Sequence, residues 1–111
     1  MFFIARVVLH HTDSSDDYTD LHAEMETRGF SRTISNNSQA RYRLPPGEYF
    51  FESTLYTTNQ VADLARAAVA AVMTDENIKV KAANKTPSVL VTSSNDISWS
   101  GLTRVFTRPK P

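Results

Sequence analysis

The succession of strand-like and helix-like segments predicts an α+β sandwich, with two helices on one face of an antiparallel sheet. Three observations carry that prediction. Tyr49-Phe50-Phe51-Glu52-Ser53-Thr54-Leu55-Tyr56 is filled with aromatic and hydroxyl-bearing residues and holds no strand breaker. Phe2–Leu9 is largely apolar on both faces of a strand, with Arg6 the exception, and apolar residues alternate with lysines along Ile78–Ala82. Two further stretches place apolar residues at helical spacing, one closed by a glycine and one opened by a capping pair.

The totals bound the answer. A chain of 111 residues is expected to form one domain. At 41% hydrophobic and 22% charged residues, its composition is that of an ordinary globular chain. That length buries a core without disulfides or metal. With no cysteine, a disulfide framework, a zinc ribbon and a thiol nucleophile are excluded, which fits a cytoplasmic location. The formal net charge is zero, so contact with nucleic acid must come from a local basic patch. No basic region precedes the apolar run at Met1–Arg6, and no apolar stretch of roughly 18 residues follows. Neither a signal peptide nor a membrane-spanning helix is expected, and no membrane partner.

Phe2 to Leu9 reads as an interior strand. Phe3, Ala5, Val7 and Leu9 form one face; Phe2, Ile4, Arg6, Val8 and His10 form the other. Arg6 is expected to pair across the sheet with Glu52. Ser14 with Asp17 resembles a capping box, and Asp16, Asp17 and Asp20 suit the positive end of a helix dipole. Tyr18, Leu21 and Met25 then recur at helical spacing. Gly29 supplies a left-handed stop, with Phe30 folded back on the last turn, so the first helix spans about Ser15 to Arg28.

Ser31 to Ser35 reads as a short strand, Asn36-Asn37-Ser38 as a turn, and Gln39 to Leu44 as an extended basic segment. Pro45-Pro46-Gly47 then turns the chain into the Tyr49–Tyr56 strand, which is expected to be central. Tyr49, Phe51, Ser53 and Leu55 face the helices; Phe50, Glu52, Thr54 and Tyr56 face the open side. Thr57 with Gln60 opens the second helix, Thr58 to Met73, whose stripe is Val61, Leu64, Ala65, Ala68 and Val72. Asp75-Glu76-Asn77 breaks it. Ile78, Val80 and Ala82 alternate with Lys79 and Lys81, the pattern of an edge strand. Ser88 to Val91 reads as another short strand. Ile97, Trp99, Leu102, Val105 and Phe106 equip the tail to cover the open sheet face or a partner's.

Strand, helix, strand, strand, helix, strand is the split βαβ order, a ferredoxin-like βαββαβ sandwich over residues 1–83, followed by a C-terminal extension over 84–111. Right-handed crossovers put both helices on one side and leave the other open for dimerisation or binding.

The candidate chemistry is sparse. His10, His11 and Asp13 have ligand types for a divalent metal, but no second carboxylate stands at a suitable spacing, so no metal or cofactor is assigned. His22, beside Leu21 on the first helix, titrates near neutral pH and is the lone candidate for general acid–base work. Arg41, Tyr42 and Arg43 put two cations and a ring in one extended stretch, suited to phosphate and to a stacked base. Arg28 and Arg32 widen that patch if the fold brings them together. Phe50 and Tyr56 have the rings to stack on bases, but the glycine–aromatic signature of RNA-recognition domains is missing, and core packing or dimerisation explains them better. With three glycines, at 29, 47 and 101, no phosphate-cradling loop can form.

A run of features resembles the GhoS-type antitoxins of type V toxin–antitoxin systems. It comprises an extended first strand, a Ser-rich approach to the first helix, Leu21, Met25 and Gly29-Phe30-Ser31. It continues with Leu44, Tyr49, Leu55, Asp63-Leu64-Ala65-Arg66 and an Asp-rich break before Ile78, over about residues 4–82. The resemblance implies a ferredoxin-like endoribonuclease that cuts a toxin's messenger RNA. A functional arginine of that family falls by spacing at His22, where the residue type differs. The expectation is thus a metal-independent RNA endonuclease, with His22 as base and Arg28, Arg32, Arg41, Tyr42 and Arg43 as RNA-binding residues. The alternative is a non-enzymatic ferredoxin-like module that binds RNA or forms a homodimer through its open face.

Overall fold

Strand β1, Phe2–Val8, is the middle of a three-stranded antiparallel sheet, between β4, Glu48–Glu52, and β5, Ser88–Ser94. A second antiparallel sheet orders β2, Thr33–Ser35, beside β3, Arg41–Arg43, and β3 beside β6, Thr103–Val105. Helices α1, Ser15–Thr27, and α2, Thr58–Met73, complete a mixed α+β fold. The computed structural model describes residues 1–9, 15–35, 40–73 and 87–105. The expected Ser14–Asp17 cap, Asn36-Asn37-Ser38 turn, Ile78–Ala82 strand, Phe106 and the His10, His11 and Asp13 cluster involve residues outside that range.

Alternation along β1 sets the core. Phe3, Ala5 and Val7 point one way and are at most 2% exposed. Phe3 pairs with Phe51 and Ser93, Ala5 with Tyr49 and Val91, and Val7 with Val89. Leu21 and Met25 of α1 join Val61, Ala65, Ala68, Val69 and Val72 of α2 over these residues in one buried cluster. Both helices therefore pack on the same face of the first sheet. Small alanines on α2 let it lie close to β1 and β5.

The helix ends form as their residues dictate. Gly29 takes φ +95°, its N–H donates to the Glu26 carbonyl, and the Phe30 N–H donates to the Met25 carbonyl. This satisfies two of the otherwise unpaired carbonyls of α1 and drops Phe30 into the core. At α2, the Thr57 N–H donates to Gln60 Oε1 at 2.8 Å and the Gln60 N–H to Thr57 Oγ1 at 3.1 Å. Gly47, at φ +83°, accepts from the Val7 N–H through its carbonyl, and any Cβ there would sit 2.7 Å from the Val7 carbonyl oxygen.

Three expectations are corrected. The Tyr49–Tyr56 strand ends at Glu52 and flanks β1, which holds the centre. Beyond Glu52, the Ser53 hydroxyl accepts from the N–H groups of Leu55 and Tyr56, which turns the chain away. Leu55 is consequently 84% exposed, and Tyr56 packs against Phe51 instead of facing the open side. Arg6 faces Glu48, not Glu52, because the register pairs those two and sets Glu52 against Phe2. The short strand at Ser88–Val91 extends to Ser94 and, with β6, brings the stretch expected as an extension into both sheets. Among the described residues the sheets meet at a bridge where Ser31 and Phe50 exchange N–H to carbonyl bonds at 2.8 and 2.7 Å.

Candidate functional site

Leu21 and Met25 fix the rotation of α1, since both must be buried. His22, one residue on, is thereby turned to the flank of the helix that looks toward β4. There it meets Tyr49, whose ring lies in the core with no exposed surface. A buried phenol needs a hydrogen-bond partner. His22 provides it, with Nδ1 2.7 Å from the Tyr49 hydroxyl and ring centroids 5.7 Å apart. Phe30 holds Tyr49 from another side, edge-on at 6.5 Å. In one neutral tautomer the hydroxyl donates to Nδ1 and Nε2 carries the proton; in the other, Nδ1–H donates to the hydroxyl and Nε2 is a free acceptor.

The electrostatics hold this pair uncharged. Burial lowers the His22 pKa, the Arg32 guanidinium lowers it further, Glu26 opposes, and Arg43 adds a smaller lowering. Burial pushes the Tyr49 phenol up, against Arg32. At neutral pH the imidazole is therefore an unprotonated base beside two cations. Guanidinium groups bind phosphate, and a neutral imidazole accepts a proton.

The predicted basic residues are divided by the fold. Leu44 N–H donates to the Arg32 carbonyl at 2.8 Å and Thr33 pairs with Arg43, which brings Arg32 and Arg43 to adjoining strands near His22. Arg28 turns back on α1, donating through Nη1 to Glu24 Oε1 at 2.7 Å and to the Glu24 carbonyl at 2.9 Å. Arg41 shares a face of β3 with Arg43 but lines a groove with Ser35, Glu52, Phe2 and Phe50. Tyr42 faces the other way and packs on Trp99, centroids 5.8 Å apart. Phe50 keeps its expected place on the open face, with Phe2 at 5.7 Å. Among the described residues, no group of three or more His, Cys, Asp or Glu side chains is placed to hold a metal. No helix among them is long and apolar enough to cross a membrane.

Two contacts were not foreseen, His22 with Tyr49 and Tyr42 with Trp99. Tyr49 read as a core aromatic, yet a tyrosine on a buried strand face carries a hydroxyl that must be satisfied, and that signal was available. Trp99 meets Tyr42 only because β6 returns to β3, which no local pattern announces. Comparison of the chain with family models, with curated proteins and with solved structures found no match.

Proposed function

We propose that this chain is a ferredoxin-like RNA endonuclease of the antitoxin type, cleaving single-stranded RNA such as a toxin messenger without metal. The observation that carries the reading is the neutral His22–Tyr49 pair with Arg32 and Arg43 beside it. The ferredoxin-like assignment is supported by the strand order β5-β1-β4 and by the Ser31–Phe50 bridge, which sets the β2 segment next to β4. That is the neighbour order the split βαβ arrangement requires.

In the proposed reaction, His22 Nε2 takes the proton of a ribose 2′-hydroxyl. The 2′-oxygen attacks the adjacent phosphorus and the bond from phosphorus to the 5′-oxygen breaks. The imidazolium returns its proton to that leaving oxygen, giving a 2′,3′-cyclic phosphate and a 5′-hydroxyl. Arg32 and Arg43 neutralise the charge that builds on the phosphoryl oxygens. Tyr49 orients the ring and exchanges its hydrogen bond with the tautomer.

The test is cleavage of unstructured RNA by purified protein in the presence of a chelator. The wild type is expected to cut, and His22→Ala to cut at least about 100-fold more slowly with an unchanged circular dichroism spectrum. Equal rates for the two proteins, or an intact substrate with the wild type, contradict the proposal. A homodimer through the open face is a second reading, favoured by Val8 and Leu90, 43% and 55% exposed there. A concentration-dependent mass abolished by Leu90→Asp supports it; a constant monomer mass removes it.

A further inference from the structure

A cavity of about 220 Å³ opens between the uncovered face of the first sheet and residues 96–99. Its walls are Phe2, Phe50, Ile34, Ile97 and Trp99, with Ser35 and Asp96 as the polar members. It lies below the range of about 300–1,000 Å³ usual for drug-sized ligands, so it suits a single ring system. Three of the walls are aromatic, and Trp99 is steadied from behind by Tyr42. A second depression, of about 380 Å³, adjoins it through the shared residues Phe2, Ser35 and Phe50. That groove is lined by hydroxyls of Ser31 and Thr33, by Glu52 and by Arg41. An aromatic slot beside a groove with a guanidinium and hydroxyl-binding groups matches one nucleotide: the base in the slot, the phosphate at Arg41, the ribose hydroxyls at Glu52.

We infer that this cavity receives one unpaired base of an RNA strand, and that Arg41 and Arg43 guide the backbone from there to His22. The inference rests on the ribonuclease reading and adds to it a subsite on the other side of the sheet. Arg41 and Arg43 lie two residues apart on one face of β3, about 6.6 Å along the strand, a distance that adjacent phosphates span. Their alternation with Tyr42 explains why both cations share a face while the ring turns to Trp99. A base held in the slot fixes which phosphate reaches the imidazole.

Trp99 is the one tryptophan of the chain, so its emission reports on the cavity directly. Titration with an oligo(A) tetramer is expected to quench it saturably, and a duplex RNA, whose bases are stacked inward, is not. Ser35→Tyr fills the cavity without removing a wall, and Phe50→Ala removes one stacking ring. Each is expected to weaken tetramer binding about tenfold or more. Arg41→Gln is expected to weaken binding and to flatten its salt dependence. Absence of saturable quenching, or undiminished binding in both Ser35→Tyr and Phe50→Ala, overturns the inference. If those variants bind normally while His22→Ala loses cleavage, the subsite falls and the ribonuclease reading stands. If tetramer binding follows the prediction but the wild type never cuts RNA, the reverse holds.

Discussion

His22 is the residue on which the proposed chemistry turns, and its neighbours set its behaviour. Burial and Arg32 lower its pKa from the ordinary value of about 6.5, Arg43 adds to the lowering, and Glu26 opposes it. In an NMR titration, the imidazole is expected to change protonation at a pH below 6.5. Arg32→Gln should raise the midpoint, Arg43→Gln should raise it less, and Glu26→Gln should lower it. Folding stability is linked to the same groups. Between the folded and the unfolded pKa of His22 the unfolded chain binds more protons, so this contribution falls as pH drops below about 6.5 and is constant above. Tyr49 acts at the other end: its folded-state pKa is raised, so its contribution is full below about pH 10 and is lost as pH rises beyond. Tyr49→Phe is expected to remove that alkaline loss and, by breaking the bond to Nδ1, to cost about 0.5–1.5 kcal/mol in urea unfolding at neutral pH.

At the scale of elements, glycine turns make the sharpest distinctions. A Cβ at Gly47 would press on a backbone carbonyl at 2.7 Å, and one at Gly29 on the edge of the Phe51 ring at 3.1 Å. Backbone cannot yield as a side chain can, and both sites have positive φ. Gly47→Ala is therefore expected to destabilise more than Gly29→Ala, and each by about 1 kcal/mol or more, measured by urea unfolding. Thr57→Ala should cost about 1 kcal/mol through loss of the reciprocal cap. These features were legible in the sequence because a cap and a stop are local: Thr57 with Gln60, and Gly29 with Phe30, act within a few residues. The end of β4 was harder to read. Ser53 and Leu55 continue the alternation perfectly well, and what stops the strand is a hydroxyl that captures two N–H groups. Arg6 was paired with the wrong glutamate because alternation tells the face of a residue and leaves the register open.

For the whole molecule, the two helices and their shared face followed from patterning, while the division into two sheets did not. β5 pairs with β1 across about eighty to ninety residues, and β6 returns to β3 across about sixty, and neither pairing leaves a trace in local composition. The candidate site splits along the same line. His22 was visible as the titrating side chain beside an apolar stripe, and Arg32 and Arg43 as parts of a basic run. Their convergence depends on the β2–β3 pairing, while Arg41 lines the groove on the open face and Arg28 turns back to Glu24 at the end of α1. In a chain of zero net charge, Arg32 and Arg43 are thus brought together by strand pairing within a stretch that is already basic in sequence.

The most direct test is the pH dependence of kcat/KM for single-stranded RNA, measured in chelator for the wild type and Arg32→Gln. The rate is expected to rise with pH through a midpoint below about 6.5, and Arg32→Gln should move that midpoint upward. A profile without an acidic limb, or a limb that stays in place when Arg32 is replaced, would show that His22 is not the base.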